Sequence, residues 1–360
     1  MNHKIKLFDP VTDIHEEKII KKVLQSHFWA SGAGIGFVSK FENAFKNYIG
    51  SDYCIAVNNG TSALHLALSL FDIKDKEVLV PSLSFVSTAH AVIHNGGIPK
   101  FIDVDYTTLC MDVTQIKKSI TKKTKIVLPV HFAGMPCNLD EINSICHQHD
   151  LVLIEDAAHA CGSVYKNKKI GTHGSAVCFS FHPVKNLAMP TGGAITINEM
   201  PKKTADILKS RRWCGITNRK GPFYDVKHLG WNYYLNEFSA AIGLVQLKKL
   251  DRLNNIRKKI ARRYHNEIKI EHKMPFNRDC SYHFYWLLVK NRTDFMKKMH
   301  LNGIETGIHY KPIHKMSYYK NSTRLPITEK TSEMIVSIPI HPNLSESDVT
   351  KIIESVNKFA

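Results

Sequence analysis

The stretch that most restricts this chain runs from Leu151 to Lys185. It opens LVLIEDAAHACG and closes AVCFSFHPVK. Leu151 to Ile154 form an unbroken aliphatic run leading into Glu155 and Asp156. A short run of this kind reads as a strand buried on both faces, as in a parallel sheet. In open α/β sheets ligands sit beyond the carboxyl ends of the strands, so a carboxylate there faces a cleft. Ala157, Ala158 and Ala160 let a neighbour approach closely. Further on, Val177, Phe179 and Phe181 alternate with Cys178, Ser180 and His182, the period-two pattern of a strand. Pro183 stops that strand, and Lys185 follows in a loop.

Chemistry gives such a pair a meaning. A desolvated or charge-crowded lysine is a nucleophile toward aldehydes. An aspartate facing a pyridine nitrogen keeps it protonated, so the ring draws electrons. Asp156 and Lys185 are therefore a candidate pyridoxal phosphate pair. Taken alone, they also read as a structural acid behind a core strand and one surface lysine among many.

The rest of the chain supplies the setting. YCIAVNNGTSALHLALSLF reads as strand, tight turn and helix, with Thr61 or Ser62 at the helix start. A helix N-terminus with hydroxyl side chains suits a phosphate, and N-capping by Thr61 is the plainer alternative. EVLVPSLSFVSTAHAV gives a buried strand stopped by Pro81, with Ser84 and Phe85 beyond its carboxyl end. Phe85 is either core or a flat partner for a planar ring. IPKFIDVD and KIVLPVHF add two strands, so strands alternate with helices up to Leu151, the signature of a parallel sheet with right-handed crossovers. Gly32, Gly34 and Gly36 follow no buried strand, which argues against a dinucleotide fingerprint. GITNRKGPFYDVKHLG reads as a long loop. A helix is expected from Asn236 to about Glu267, a strand at HFYWLLV, and helices at 292–302 and 345–359, the last opened by a capping box of Ser345 and Asp348.

EDAAHACG, SFHPVKNL and the following GGAIT closely resemble the signature of the DegT–StrS family of pyridoxal-phosphate-dependent nucleotide-sugar aminotransferases. The resemblance implies an aspartate-aminotransferase-like α/β fold. It would have a large domain with a mostly parallel central sheet and an N-terminal arm (1–240), and a small C-terminal α/β domain (241–360). It implies that Lys185 carries pyridoxal 5'-phosphate and that Asp156 meets its ring nitrogen. Thr61, Ser62 and Ser180 are implied at its phosphate, Phe85 over its ring and His159 beside it. Asn232 is implied at the phosphate of the neighbouring subunit's cofactor, in a homodimer with shared active sites. Trp29, His309 and Tyr310 are assigned to the substrate. The implied reaction moves an amino group from L-glutamate to a keto-sugar on a nucleotide diphosphate, with a 4-keto-6-deoxy sugar favoured. Its products would serve cell-surface polysaccharide, lipopolysaccharide or related aminosugar biosynthesis. A 3-keto-sugar or cyclitol substrate is the alternative. Relatives that remove a sugar hydroxyl have His in place of the lysine, and Lys185 argues against them. Two positions depart from the family pattern: Tyr234 stands where many members have Arg, and Thr191 where many have Glu.

The formal net charge of +17 admits a nucleic-acid partner or an anionic small substrate. The basic helix face at KKLDRLNNIRKKIARRYHNE lacks base-stacking aromatics, so a solvated face is the expectation and a nucleic-acid-binding regulator is disfavoured. The eight cysteines include no CxxC pair, which fits reduced thiols in a cytoplasmic protein. No segment has the apolar length of a membrane span, and MNHKIKLFDP does not read as a signal peptide. His309 and His314 lack a third ligand nearby, so no metal site is expected.

Overall fold

The structure is a computed structural model and describes residues 4–319 and 323–360. The strands in chain order are β1 (Tyr53–Val57), β2 (Glu77–Pro81), β3 (Ile98–Ile102), β4 (Thr124–Val127), β5 (Val152–Asp156), β6 (Val164–Tyr165), β7 (Lys168–Lys169), β8 (Ala176–Ser180), β9 (Gly193–Ile197), β10 (Ile216–Lys220), β11 (Phe223–Val226), β12 (Tyr285–Leu288) and β13 (Ile335–Ile338). The helices are α1 (Ile14–Ser26), α2 (Phe37–Ile49), α3 (Gly60–Leu68), α4 (Ser87–His94), α5 (Val113–Ser119), α6 (Leu139–Gln148), α7 (Lys202–Arg212), α8 (Glu237–Glu267), α9 (Arg292–Leu301), α10 (Pro326–Met334) and α11 (Glu346–Phe359).

A seven-stranded sheet in the order β1-β9-β8-β5-β4-β2-β3 forms the centre. β2, β3, β4, β5 and β8 pair in parallel, and β9 runs against both of its neighbours, β1 and β8. The sheet is thus mostly parallel, and β1 points the same way as β5 and β8. Alternate side chains enter separate cores on its two faces. Val177 and Phe179 of β8 join Phe41 and Phe45 of α2, whereas Ala176 and Cys178 join Ala63, Leu66 and Ala67 of α3. The alternation expected for AVCFSFH is therefore the partition between two helix layers.

Several elements differ from the sequence reading. The aliphatic strand starts at Val152 and runs through Glu155 to Asp156, so the acid is the last strand residue. After it, the segment carrying His159 is a series of turns. GITNRKGPFYDVKHLG is not an irregular loop: it forms the β10–β11 hairpin, with Phe223, Tyr224 and Val226 exposed. In the C-terminal part β13 pairs antiparallel with β12, a strand that polar neighbours in EMIVSIP conceal. Of the expected caps, the box at Ser345 and Asp348 is present. The glycines at 32–36 serve packing: Gly34 has φ +64°, and a Cβ there would strike the Arg212 guanidinium.

Arg212 is one end of a buried pair that ties three elements. Glu42 of α2 accepts from the Ala56 amide of β1 at 2.9 Å and from the Arg212 guanidinium, which also donates to the Ala56 carbonyl at 2.9 Å. Both side chains are buried. Removing one member strands a desolvated charge. Glu42→Ala is expected to lower unfolding free energy by about 3–5 kcal/mol in urea titrations; a loss under ~1 kcal/mol would mean the guanidinium finds water.

Candidate active site

The site is built where parallel strands end on one edge of the sheet. Asp156 ends β5 and is paired in register with Cys178 of β8. Its side chain is 4% exposed. One carboxylate oxygen accepts from Thr88 Oγ1 at 2.8 Å, and the other from the Ala158 amide at 3.1 Å. Burial pushes the carboxyl pKa up, and these two donors oppose that rise. Beyond the end of β8 the chain turns, and the Lys185 amide donates to the His182 carbonyl at 2.8 Å. Burial lowers the Lys185 pKa to about 8 while Asp156 raises it. Its amine lies 3.3 Å from His283 Nε2.

Asn59, Gly60 and Thr61 leave β1 into α3. Asn59 is the N-cap, its side chain accepting from the Ser62 amide at 2.8 Å, so Thr61 is not the cap. Thr61 is exposed and bonds Ser87 Oγ at 2.7 Å. A Cβ at Gly60 would sit 2.7 Å from Ser180 Cβ, so only glycine lets the helix start close onto the end of β8. These side chains share one cavity of about 430 Å³, lined by Asn59, Gly60, Thr61, Ser84, Phe85, Thr88, Asp156, His159, Ser180, His182, Lys185 and Tyr310 among others. A wider depression of about 660 Å³ elsewhere shares no lining residue with it.

Of the residues singled out from sequence, Asp156, Lys185, Thr61, Phe85, His159, Ser180 and Tyr310 line this cavity. Phe85 stands 57% exposed at it. His159 Nε2 is 3.0 Å from Tyr310 Oη. Four others do not line it within one chain. Ser62 is buried one position further into α3, its amide spent on Asn59. His309 stacks on Phe284 at 4.5 Å and bonds Ser337 Oγ at 2.8 Å. Trp29 is half-exposed against Phe238, and Asn232 pairs with Trp213. His314 is held by Ser82 and Glu329, away from His309. The sequence reading missed Thr88, Asn59 and His283. Asn59 carried a signal as a cap-type residue before a helix, and Thr88 lay within the first turn after Phe85; His283 carried none.

The donor set fits pyridoxal phosphate. A helix start with hydroxyls at Thr61, Ser87 and Ser180 suits its phosphate, a buried carboxylate suits a protonated ring nitrogen, and an amine whose pKa burial lowers to about 8 suits an aldehyde. The cavity volume lies in the range of small-ligand sites.

Known proteins agree. The DegT/DnrJ/EryC1/StrS aminotransferase family model matches residues 11–357. Uncharacterized protein MJ1066 of Methanocaldococcus jannaschii is 35% identical over 343 residues, 89% of each chain. The structure of Helicobacter pylori PseC, an aminotransferase involved in the biosynthesis of pseudoaminic acid, superposes with a TM-score of 0.93 at 28% identity over 99% of both chains. The PMP-form of Spr1654 from Streptococcus pneumoniae, a putative sugar aminotransferase, gives 0.94 at 25% identity over 99% of this chain and 98% of that one. Fold and site together define a pyridoxal-phosphate-dependent aminotransferase. More specifically, the chain belongs to the DegT/DnrJ/EryC1/StrS aminotransferase family.

Thr88→Val removes one donor from Asp156, so its pKa, already raised by burial, rises further. The ionised carboxylate is the form that faces a protonated ring nitrogen, and it is lost as pH falls through the pKa. The variant should therefore begin to lose pyridoxal phosphate affinity at higher pH than wild type, as read by cofactor titration from pH 5 to 9. Coincident profiles would show that Thr88 does not tune the acid.

Proposed function

We propose that this enzyme transfers an amino group from L-glutamate to a keto-sugar carried on a nucleotide diphosphate, with a 4-keto-6-deoxy sugar favoured. One observation carries the reading: a buried carboxylate, an amine held near pKa 8 and a hydroxyl-lined helix start converge on one cavity. Support for a sugar substrate comes from PseC and from sugar aminotransferase CalS13 of Micromonospora echinospora, which superposes with a TM-score of 0.90 at 28% identity over 98% of this chain and 99% of that one. A 3-keto sugar or a cyclitol as the acceptor is the second reading.

In this scheme Lys185 carries the cofactor, Thr61 and Ser180 hold its phosphate with the first amides of α3, Asp156 faces its ring nitrogen and Phe85 covers the ring. When bound, pyridoxal phosphate supplies an aldehyde carbon for the amine and an electron-poor ring. Lys185, once free, accepts the proton at the donor's α-carbon and returns one at the acceptor carbon. An amine with a pKa near 8 is suited to both directions. His159 and Tyr310 support each other at the cavity wall through their 3.0 Å bond, with Tyr310 on the substrate side.

Asn232, Trp29 and His309 lie outside the cavity of one chain, and the β10–β11 hairpin exposes Phe223 and Tyr224. This arrangement supports a homodimer in which Asn232 serves the neighbour's phosphate. The surplus of positive charge, +17, would draw a diphosphate toward the site. We place the enzyme in the cytoplasm, where nucleotide sugars for cell-surface glycans such as lipopolysaccharide are made. Among the described residues no helix is long and apolar enough to cross a membrane.

Lys185→Ala should retain the fold but lose the yellow colour and at least ~10³-fold in turnover. Borohydride reduction with peptide mapping should fix the cofactor to Lys185; a label elsewhere overturns the assignment. A panel of nucleotide-linked 4-keto and 3-keto sugars and keto-cyclitols with L-glutamate, read by mass spectrometry, should give amination of a 4-keto sugar. Amination of a cyclitol alone would replace the favoured reading with the second.

A further inference from the structure

His283 stands two residues before β12 and lies 98 positions from Lys185 in the chain, yet its Nε2 is 3.3 Å from the lysine amine. The ring is 2% exposed and held on both faces. Phe8, from the N-terminal segment, stacks at 5.4 Å and 22°, and His159 stacks at 4.9 Å and 30°. Phe284 closes an edge at 5.4 Å. The backbone amide of His283 donates to the Ala133 carbonyl at 2.9 Å, which pins its base. Nδ1 is buried without a hydrogen-bond partner. A ring fixed in this way has one polar edge directed at another group, and that group is Lys185.

We propose that His283 is a positioning residue for Lys185: a neutral imidazole whose Nε2 accepts from the amine and holds it in place whenever it is not bonded to the cofactor. The inference rests on Lys185 being the cofactor-bearing lysine. The groups facing the pair are Asp156 and His159 from β5 and the turn after it, His309 and Tyr310 from the C-terminal part, Arg257 from α8 and His182 on the lysine's own loop. Burial, with Lys185, His159, His309 and Arg257 nearby, keeps the His283 ring unprotonated. Asp156 pulls the amine's basicity up and burial pulls it down. A neutral acceptor orients the amine without adding a second anion. A carboxylate in the same place would hold it as an ammonium ion and leave it a poor nucleophile. The protonated amine makes the stronger hydrogen bond to imidazole, so losing the acceptor favours the free amine.

The test uses the full-length protein stripped of cofactor. Trace acetylation from pH 6 to 10, with the Lys185 peptide quantified by mass spectrometry, reads the amine's titration without any turnover. Wild type should show a midpoint near 8. In His283→Phe the midpoint should fall. In His283→Gln, which keeps an acceptor of similar reach, it should return to within a few tenths of a unit of wild type. In His283→Glu it should rise by about one unit or more, slowing pyridoxal phosphate uptake at pH 7.5 severalfold. A midpoint in folded His283→Phe at or above wild type overturns the proposal. Thermal unfolding of each variant runs alongside; if His283→Phe does not fold, the Gln and Glu variants decide, and equal midpoints in those two overturn it. Borohydride mapping of the holoenzyme separates the two claims. A label on another lysine sinks the Lys185 assignment and this inference together. A label on Lys185 with unmoved midpoints sinks the role of His283 alone.

Discussion

The site depends on the pairing of β5 with β8. Because these strands run in parallel, with Asp156 opposite Cys178, their carboxyl ends leave the sheet on the same edge. The carboxylate at the end of one and the lysine just past the other then share a cavity. β1 and β2 end on that edge too, and they deliver the start of α3 and Phe85 to it. An antiparallel register between β5 and β8 would send the lysine loop to the opposite edge, however well the local sequence suited the chemistry.

Desolvation gives these groups their properties. Asp156 is withdrawn from water but receives two hydrogen bonds, so its charge is costly without being unsupported. Lys185 lies in the same surroundings, and its basicity falls into the range where an amine can both attack and shuttle a proton. Two of the charged groups buried in the scaffold beneath are paired. Glu42 with Arg212 clamps α2, β1 and α7, and His131 bonds Glu155 at 2.7 Å behind the sheet edge. Such pairs fix the positions of strand ends more than they add net stability.

α8 joins the two parts of the chain. Its 31 residues bring Ala240 near the sheet side and carry Leu250, Ile260 and Tyr264 into the same continuous core as β12, β13 and α11. The C-terminal part thereby reaches the cavity with Tyr310 and the Lys185 amine with His283, so the far end of the chain adds to a site begun by β1, β2, β5 and β8.

Sequence by itself determined what depends on near neighbours. The aliphatic run before Asp156, the alternation that ends at Pro183, the strand–turn–helix at Tyr53–Leu68 and the capping box of α11 are short-range patterns, because burial period and cap geometry are set within a few residues. For that reason Asp156, Lys185, Thr61 and Phe85 could be named as candidates before any fold was known, whereas Ser180 was assigned by the family resemblance alone. Tertiary structure alone decided the antiparallel run of β9, the folding of residues 216–226 into a hairpin, the turning of His309 away from the cavity, and the contacts of Lys185 with His283 and of His159 with Tyr310 across 98 and 151 positions. Those contacts arise when separate layers pack, and no periodicity within one segment records which distant side chain will fill the space beside it.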